Sequence, residues 1–172
     1  ITASSDNTIE FDSGIDSTYP IYVFKFINIH PENDDVFFQV NFRDGSTAYD
    51  ASKTTTSFFA YHDEADSDTS LAYKTSRDLA NGTGVQTLSF DSVGNGNDES
   101  SSGELSLFNP SSTTFVKHFI ARTQIYHDSD YIFDNFLAGY CNTTTAIDGI
   151  QFSMSSGNID AGTFKMYGIG DS

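Results

Sequence analysis

Apolar and polar residues alternate with a period of two along many short stretches of this chain, and this pattern most restricts its fold. Near the C-terminal end, Ile150, Phe152 and Met154 alternate with polar residues. Such alternation is typical of a β-strand with one buried face. Turn-forming residues follow at 156–162, and a second alternating run covers 164–168. Together they predict a C-terminal β-hairpin that packs against a sheet.

The same alternation predicts strands upstream. Residues 19–30 form the strongest of them, and apolar side chains on both faces at its centre place it inside a sandwich. A turn at 31–34 would join it in a hairpin to a strand that carries Val36, Phe38, Val40 and Phe42 on one face. Further strands are predicted at residues 8–11, 54–61, 85–90, 114–126 and 131–141, and around Leu105 and Leu107.

Two connections are less regular. Residues 71–79 have no clean amphipathic stripe, so one helical turn and an irregular crossing are both open. Residues 91–102 read as a polar, low-complexity loop, for which mobility is expected.

Composition supports an all-β fold. Aromatic residues make up 15% of the 172 residues, and with Val, Ile and Thr they favour strands. Roughly ten strands separated by polar turns are typical of a sandwich. We therefore predict one domain, residues 1–172, built as an antiparallel two-sheet β-sandwich that resembles a jelly roll.

Four longer motifs resemble a known group of proteins. They are TYPIYVFKFINIHPEND at 18–34, TTTSFFAYHDEAD at 54–66, GELSLFNPSSTTFVKHFI at 103–120 and SGNIDAGTFKMYGI at 156–169. Together they look like a family of small proteins encoded by marine tailed bacteriophages, mostly uncharacterised or described as virion structural proteins. The resemblance extends from about Thr2 to Gly170. It implies a component of the virus particle and carries no catalytic residues.

The formal net charge of −16 argues against two classes of partner. Nucleic acids and anionic membranes both attract clustered Lys and Arg, and the eight cationic residues here are scattered. The simplest interpretation is a surface that stays solvated in salty water; an acidic face for a cationic partner is the alternative.

Acidic clusters raise the question of calcium. Asp63, Glu64, Asp66 and Asp68 offer carboxylate oxygens but lack the Gly and the distal Glu of an EF-hand loop. A solvated loop is the simpler interpretation, so we predict no cofactor and keep calcium at these four residues as the weaker alternative. A second oxygen-rich group, Asn95, Asn97, Asp98 and Glu99, allows the same two interpretations. Asp128, Asp130 and Asp134 form a third group, with a weaker case for calcium.

No catalytic pattern stands out. His30, His62, His118 and His127 occur singly, without the spacing of a zinc site, and no nucleophile elbow or phosphate-binding loop is found. His118 is expected to be a hydrogen-bonded residue of the sheet. Glycoside hydrolysis by a pair of carboxylates requires one acid that stays protonated against an apolar wall. Most acids here lie in polar loops that leave them hydrated, which disfavours this activity. The single cysteine, Cys141, excludes an intrachain disulfide and is expected to be a small buried hydrophobe.

We therefore predict a non-enzymatic structural protein on the surface of a tailed-phage particle that is assembled in the host cytoplasm. Capsid decoration is favoured over a tail-fibre tip, because the sequence contains no repetitive shaft. The alternative is a carbohydrate-binding or receptor-binding module that contacts a host-surface glycan, although the absence of Trp counts against it. A small sandwich hydrolase is a third hypothesis.

The expected partners are identical copies, for which a trimer is one suitable assembly, and other virion proteins. The loops at 63–70 and 91–102 are the expected sites of outward-facing variation. The closing segment, residues 156–169, is expected to serve as core or as the assembly seam.

Overall fold

The computed structural model describes residues 1–170, and nearly all of its regular structure is strand. Within these residues the one helical element is a short 3-10 turn, Thr75–Arg77. The twelve strands are β1 (Thr2–Asp6), β2 (Thr8–Phe11), β3 (Ile21–Pro31), β4 (Phe38–Arg43), β5 (Lys53–Asp63), β6 (Thr69–Tyr73), β7 (Gln86–Thr87), β8 (Ser100–Phe108), β9 (Lys117–His127), β10 (Tyr131–Cys141), β11 (Gly149–Met154) and β12 (Ile159–Ile169).

The strands form two packed sheets in which every pairing is antiparallel. The larger sheet has eight strands in the order β1-β12-β3-β8-β9-β10-β5-β6. The smaller has four, in the order β2-β11-β4-β7. The predicted antiparallel two-sheet sandwich is therefore confirmed.

The connectivity is that of a jelly roll with additions. The chain crosses between the sheets at each step from β2 to β5, and again from β10 to β12. The hairpin β8–β9 is inserted between β3 and β10, and β12 and β1 extend the larger sheet beyond β3. Without these four strands the sheet orders reduce to four strands each, wrapped as in a jelly roll.

Phenylalanine side chains from both sheets fill the interior. Phe24 and Phe26 of β3 and Phe164 of β12 point inward from the larger sheet, and Phe38 and Phe152 point inward from the smaller. Phe26 meets Phe152 edge to face, with 5.0 Å between ring centroids. All five rings are 2% exposed or less, so they account for the strong period-two pattern of their strands.

The two predicted hairpins are wrong, for one shared reason. β3 and β4 lie in different sheets, and so do β11 and β12. In each pair the inward faces meet across the core. The ring centroids of Phe26 and Phe38 are 5.2 Å apart, and those of Phe152 and Phe164 are 5.4 Å apart. Alternation marks the buried face of a strand, but it does not say whether the next strand pairs along its edge or packs on its face.

The irregular region between β5 and β8 also differs in part from expectation. Residues 71–79 end strand β6 and then form the 3-10 turn, and the strand predicted at 85–90 shrinks to Gln86–Thr87. The predicted polar loop at 91–102 contributes its last three residues to β8, and its Val93 is fully buried in a bridge to Val36. Leu88 and Phe90 are also buried, so this connection covers part of the inner face that the four-stranded sheet does not reach.

Candidate functional site

The larger sheet has one face on the core and one face in solvent, and the solvent face is the candidate site. We define the outer face as the outward-pointing residues of β3, β5, β6, β8, β9, β10 and residues 163–169 of β12. Outward positions alternate with buried ones along these strands. In β9, for example, every second residue from Lys117 to Ile125 is buried, and the residues between them are exposed. The outer face therefore follows directly from the alternation that built the core.

Exposed apolar side chains are concentrated on the outer face. Twelve large hydrophobic residues are exposed in the described chain, and eight of them belong to this face. These are Ile27, Phe58, Leu71, Tyr73, Ile120, Ile132, Tyr167 and Ile169. Scattered exposed hydrophobic residues are normal, but a cluster on one sheet face is typical of an interaction surface.

The outer face also carries little net charge. Its only acids are Glu104 and Asp134, and its Lys and Arg residues are Lys25, Arg122 and Lys165. Lys25 pairs with Glu104, and the Arg122 guanidinium donates to Asp134 at 3.0 and 2.6 Å. The face has a formal charge of about +1 within a chain of −16, so nearly all the negative charge lies elsewhere.

One row of side chains crosses the middle of this face. The strand registers place Tyr73, Phe58, Phe136, Arg122, Glu104, Lys25 and Lys165 side by side on seven neighbouring strands. We call these residues the central row. Phe58 and Phe136 stack at 4.8 Å with 2° between ring planes, and the Arg122 guanidinium lies 4.8 Å from the centroid of Phe136. The hydrogen bonds that Arg122 donates to Asp134 raise the pKa of Arg122, so its positive charge is fixed.

Beside the central row runs a shallow apolar groove of about 380 Å³. Its floor is made of small or branched side chains, namely Thr56, Ala138, Ile120 and Ser106, and the central row forms one wall. Few polar atoms line it, so it suits an apolar protein surface better than a ligand rich in hydroxyl groups.

A second notable group lies inside the sandwich. Lys53, Cys141 and Lys117 are directly opposite one another on β5, β10 and β9, and all three are fully buried. Lys53 Nζ donates to the carbonyl oxygens of Ala51 at 3.0 Å and Gly84 at 2.7 Å. Burial lowers the pKa of Lys53 to about 8 and raises the pKa of Cys141 to about 12. The thiol is therefore protonated and shielded, as expected for a buried hydrophobe and not for a nucleophile.

The calcium candidates stabilise a turn in this structure. Asp63 is buried and accepts hydrogen bonds from the hydroxyl of Ser67 and from the backbone amides of Asp68 at 3.0 Å and Ser67 at 2.8 Å, which lower its pKa to about 2. Asp66 pairs with His62 at 3.1 Å, and Asp68 accepts from the hydroxyl of Tyr61 at 3.3 Å. The backbone amide of Glu64 donates to the carbonyl oxygen of Asp130 at 3.0 Å. The carboxylates of Asp63, Asp66 and Asp68 thus each have a protein partner.

The other two acidic groups are also divided among local partners. Glu99 accepts the amide of Gly96 at 2.6 Å, and Asp130 accepts the hydroxyl of Tyr126 at 2.9 Å. Asp134 lies apart, on the outer face beside Arg122. In the part of the chain that the structure describes, no three His, Cys, Asp or Glu side chains are arranged to hold a metal ion.

The four histidines lie in separate places. His118 points outward from β9 and meets Tyr140 with 6.1 Å between ring centroids. His30 and His62 lie near Asp160 and Asp66, and His127 lies beside Asp128 in the β9–β10 turn. Their dispersal matches their spacing in the sequence.

Over residues 1–170 there is no helix of the length and apolar character needed to cross a membrane. In comparisons with known proteins, no family model, no curated protein and no solved structure matches the chain. The outer face must therefore be interpreted from its own chemistry.

Sequence reasoning did not identify the outer face as a site, although a signal was present. β3, β5, β9 and β10 carry apolar residues at outward as well as inward positions, for example Val23, Phe58, Ile120 and Phe136. Of these strands, only the one at 19–30 was predicted from this pattern to lie inside the sandwich. In the structure all four have one face on the core and the other on the outer face.

Proposed function

We propose that this chain is a non-enzymatic structural protein displayed on the surface of a tailed-phage particle, with capsid decoration favoured over a tail-fibre tip. The observation that carries the proposal is the outer face, a broad, nearly neutral and apolar surface on a rigid jelly-roll scaffold. Surfaces of this kind serve protein–protein contact, which is the work of a particle component.

Two further observations support the proposal. The four motifs described above resemble proteins of marine tailed phages, over nearly the whole chain. The other 22 of the 24 acidic residues of the chain lie outside the outer face, and a strongly acidic surface stays hydrated and resists non-specific association.

The test is to locate the chain on intact particles from the source culture by immunogold labelling or by electron cryomicroscopy. Copies distributed over the head lattice are the expected result. Copies confined to tail appendages would replace decoration with host contact. Particles free of the chain would overturn the proposal.

A second candidate is binding of a host-surface glycan, and the exposed aromatic residues of the central row favour it. Tyr73 is 56% exposed and Phe58 is 45% exposed, beside the polar groups of Arg122 and Asp134. Phe136 offers less, because Phe58 covers one side of its ring and Arg122 lies over it as well. Sugar rings stack on free aromatic faces, so Tyr73 and Phe58 would provide the platform.

This candidate is tested by glycan-array binding of the wild type and of Tyr73→Ala. Loss of signal in the variant, with an unchanged signal for Phe115→Ala outside the outer face, would support it. No glycan signal from the wild type would remove it.

A further inference from the structure

We propose that the outer face binds the outer face of a second copy of this chain about a two-fold axis that runs parallel to the strands, between β8 and β9. The inference rests on the proposed function, because it names the partner of the contact surface that the function requires. It goes further by specifying the symmetry and the residue pairs.

Charge is the first argument for a second copy. Two chains of −16 repel each other, and the repulsion is smallest where the local charge is near zero. The outer face carries two acids against three cations, whereas the rest of the chain carries 22 acids against five cations, of which Lys53 and Lys117 are buried. The outer face is therefore the surface on which two copies approach with the least electrostatic cost.

The order of residues along the central row is the second argument. A two-fold axis parallel to the strands keeps each row at its own height and reverses its order, so β9 faces β8, β10 faces β3 and β5 faces β12 of the other copy. The contacts then join groups of complementary character. They are Arg122 with Glu104, Phe136 with Lys25, and Phe58 with Lys165. The first is an ion pair, and the third brings an ammonium group to Phe58, which has one side of its ring free. In the second, Phe58 and Arg122 already cover the faces of Phe136, so the hydrocarbon stem of Lys25 packs against the ring edge.

The neighbouring row along the groove is complementary in size. The same axis places a large side chain of one copy opposite a small one of the other in each of three pairs. They are Ile120 with Ser106, Val23 with Ala138, and Tyr167 with Thr56. Large side chains would fill the groove, as in the interdigitated core of a sandwich.

The available area is sufficient for a stable contact. Six strands lie symmetrically about the axis, three on each side: β12, β3 and β8, and β9, β10 and β5. With strands about 4.8 Å apart and about nine residues long, they present roughly 800 Å². A standard protein–protein interface buries about 800 Å² on each partner.

The first experiment is sedimentation velocity of the purified chain across a concentration series at physiological salt. The wild type is expected to form a dimer, and Ile120→Asp is expected to raise its dissociation constant at least ten-fold, because it places a charge in the apolar groove. Ile120 is 51% exposed, so the variant should fold, and thermal melting monitored by circular dichroism verifies this. Phe115→Asp is the matched control, because Phe115 is 68% exposed but lies in the loop before β9.

The second experiment tests the axis with nitroxide labels on single introduced cysteines. Cys141 is fully buried, so a label on Ser100→Cys would be the one reactive position. Ser100 is the first residue of β8, next to the axis and outside the six residue pairs named above, so a label there does not block them. Facing sheets are about 10 Å apart, so two such labels should be less than about 25 Å apart. Labels on Glu10→Cys, on the far side of the smaller sheet, should be more than about 40 Å apart because four sheets separate them.

A chain that stays monomeric at every concentration would overturn the inference, whether or not it binds another protein or a glycan. So would a dimer that Ile120→Asp leaves intact, or one in which the Ser100 labels are far apart. These results are separate from the particle test. If the chain is a monomer and is found on particles, the inference fails and the proposed function stands. If it is a dimer of the expected geometry and particles lack it, the proposed function fails and the inference stands.

Discussion

Lys53 carries its ammonium group into the interior of the sandwich, where its hydrogen-bond acceptors are two backbone carbonyls. No carboxylate forms an ion pair with it in the described residues, so burial has the largest effect on its pKa, and the charges of Cys141 and Asp50 oppose it only in part. Removing a charge from water is costly, and the neutral amine is favoured at a lower pH than usual. This side chain therefore links proton release to the folded state.

The stability of the protein should rise between pH 8 and pH 10.5 because of Lys53. The folded state releases this proton near pH 8 and the unfolded state near 10.5, so the unfolded state binds more protons in that window. The contribution is at most about 3 kcal/mol, at about 1.4 kcal/mol per pKa unit. Urea unfolding at several pH values should show a rise for the wild type relative to Lys53→Met.

The comparison with Lys53→Met separates this effect from other titrations. Cys141 has the opposite influence, because its raised pKa of about 12 removes stability as the pH increases above 9. Cys141 and the tyrosines are present in both proteins, so their effects largely cancel in the difference. Parallel pH profiles for the two proteins would contradict the prediction.

Asp63 should make stability fall at acidic pH. Its pKa of about 2 lies below its ordinary value of 3.8, because Ser67 and the backbone amide of Asp68 donate hydrogen bonds to the carboxylate. The resulting stabilisation is complete above about pH 4 and is lost as the pH falls to about 2. The urea midpoint of Asp63→Asn should therefore depend less on pH between 5 and 2 than that of the wild type.

Glu64→Gln is the matched control for Asp63, because it removes a neighbouring exposed carboxylate from the same turn. Its acid profile should resemble that of the wild type. An equal loss of pH dependence in both variants would assign the effect to net charge instead of the Asp63 hydrogen bonds.

Among the structural elements, the connection around β7 depends on buried polar contacts. Asn135 of β10 donates to the carbonyl oxygen of Leu88 at 2.7 Å and accepts from the hydroxyl of Ser57 at 2.9 Å. Thr55 of β5 donates to Gln86 at 2.7 Å. These bonds attach the short strand and its flanks to the inner face of the larger sheet, where the hydrophobic pattern is weakest.

Asn135→Ala should destabilise the protein by about 2 kcal/mol, because it leaves the buried Ser57 hydroxyl without its acceptor and removes one donor to the Leu88 carbonyl. The free energy of unfolding from urea titration measures this cost. Asn142→Ala, in the exposed loop after β10, is the control and should change stability by less than about 0.5 kcal/mol. Equal effects would mean that the buried bonds contribute little.

For the whole molecule, the uneven distribution of charge is the main property. The acids lie mostly in turns and edges, and their mutual repulsion opposes the compact state. Dissolved salt screens this repulsion within a Debye length of about 8 Å at physiological ionic strength. A change in salt concentration should therefore alter the free energy of unfolding more than the removal of any single ion pair.

Raising sodium chloride from about 20 mM to about 0.5 M should increase the melting temperature by several degrees at pH 7, since screening relieves the repulsion. Thermal unfolding followed by circular dichroism measures the shift. At a pH close to the isoelectric point of about 4.1 the net charge vanishes, so the same salt increase should have little effect. An equal shift at both pH values would contradict the electrostatic cause.

The class of fold could be predicted from the sequence alone. Period-two alternation identified the longer strands and their inward residues, because a strand with one buried face needs an apolar side chain at every second position. It placed Phe38 and Phe42 of β4 and Phe152 of β11 on the apolar faces of their strands, and all three are buried. Cys141 was likewise expected to be buried, and it is.

The connections between the strands and the position of the candidate site became apparent only from the tertiary structure. β3 and β4, like β11 and β12, pack across the core instead of pairing, because the same alternation satisfies both arrangements. Lys53 was not recognised as buried, since one of its two acceptors, the Gly84 carbonyl oxygen, comes from a segment that the fold brings to it. The outer face depends on side chains from seven strands becoming neighbours, and a local pattern contains no information about such long-range contacts.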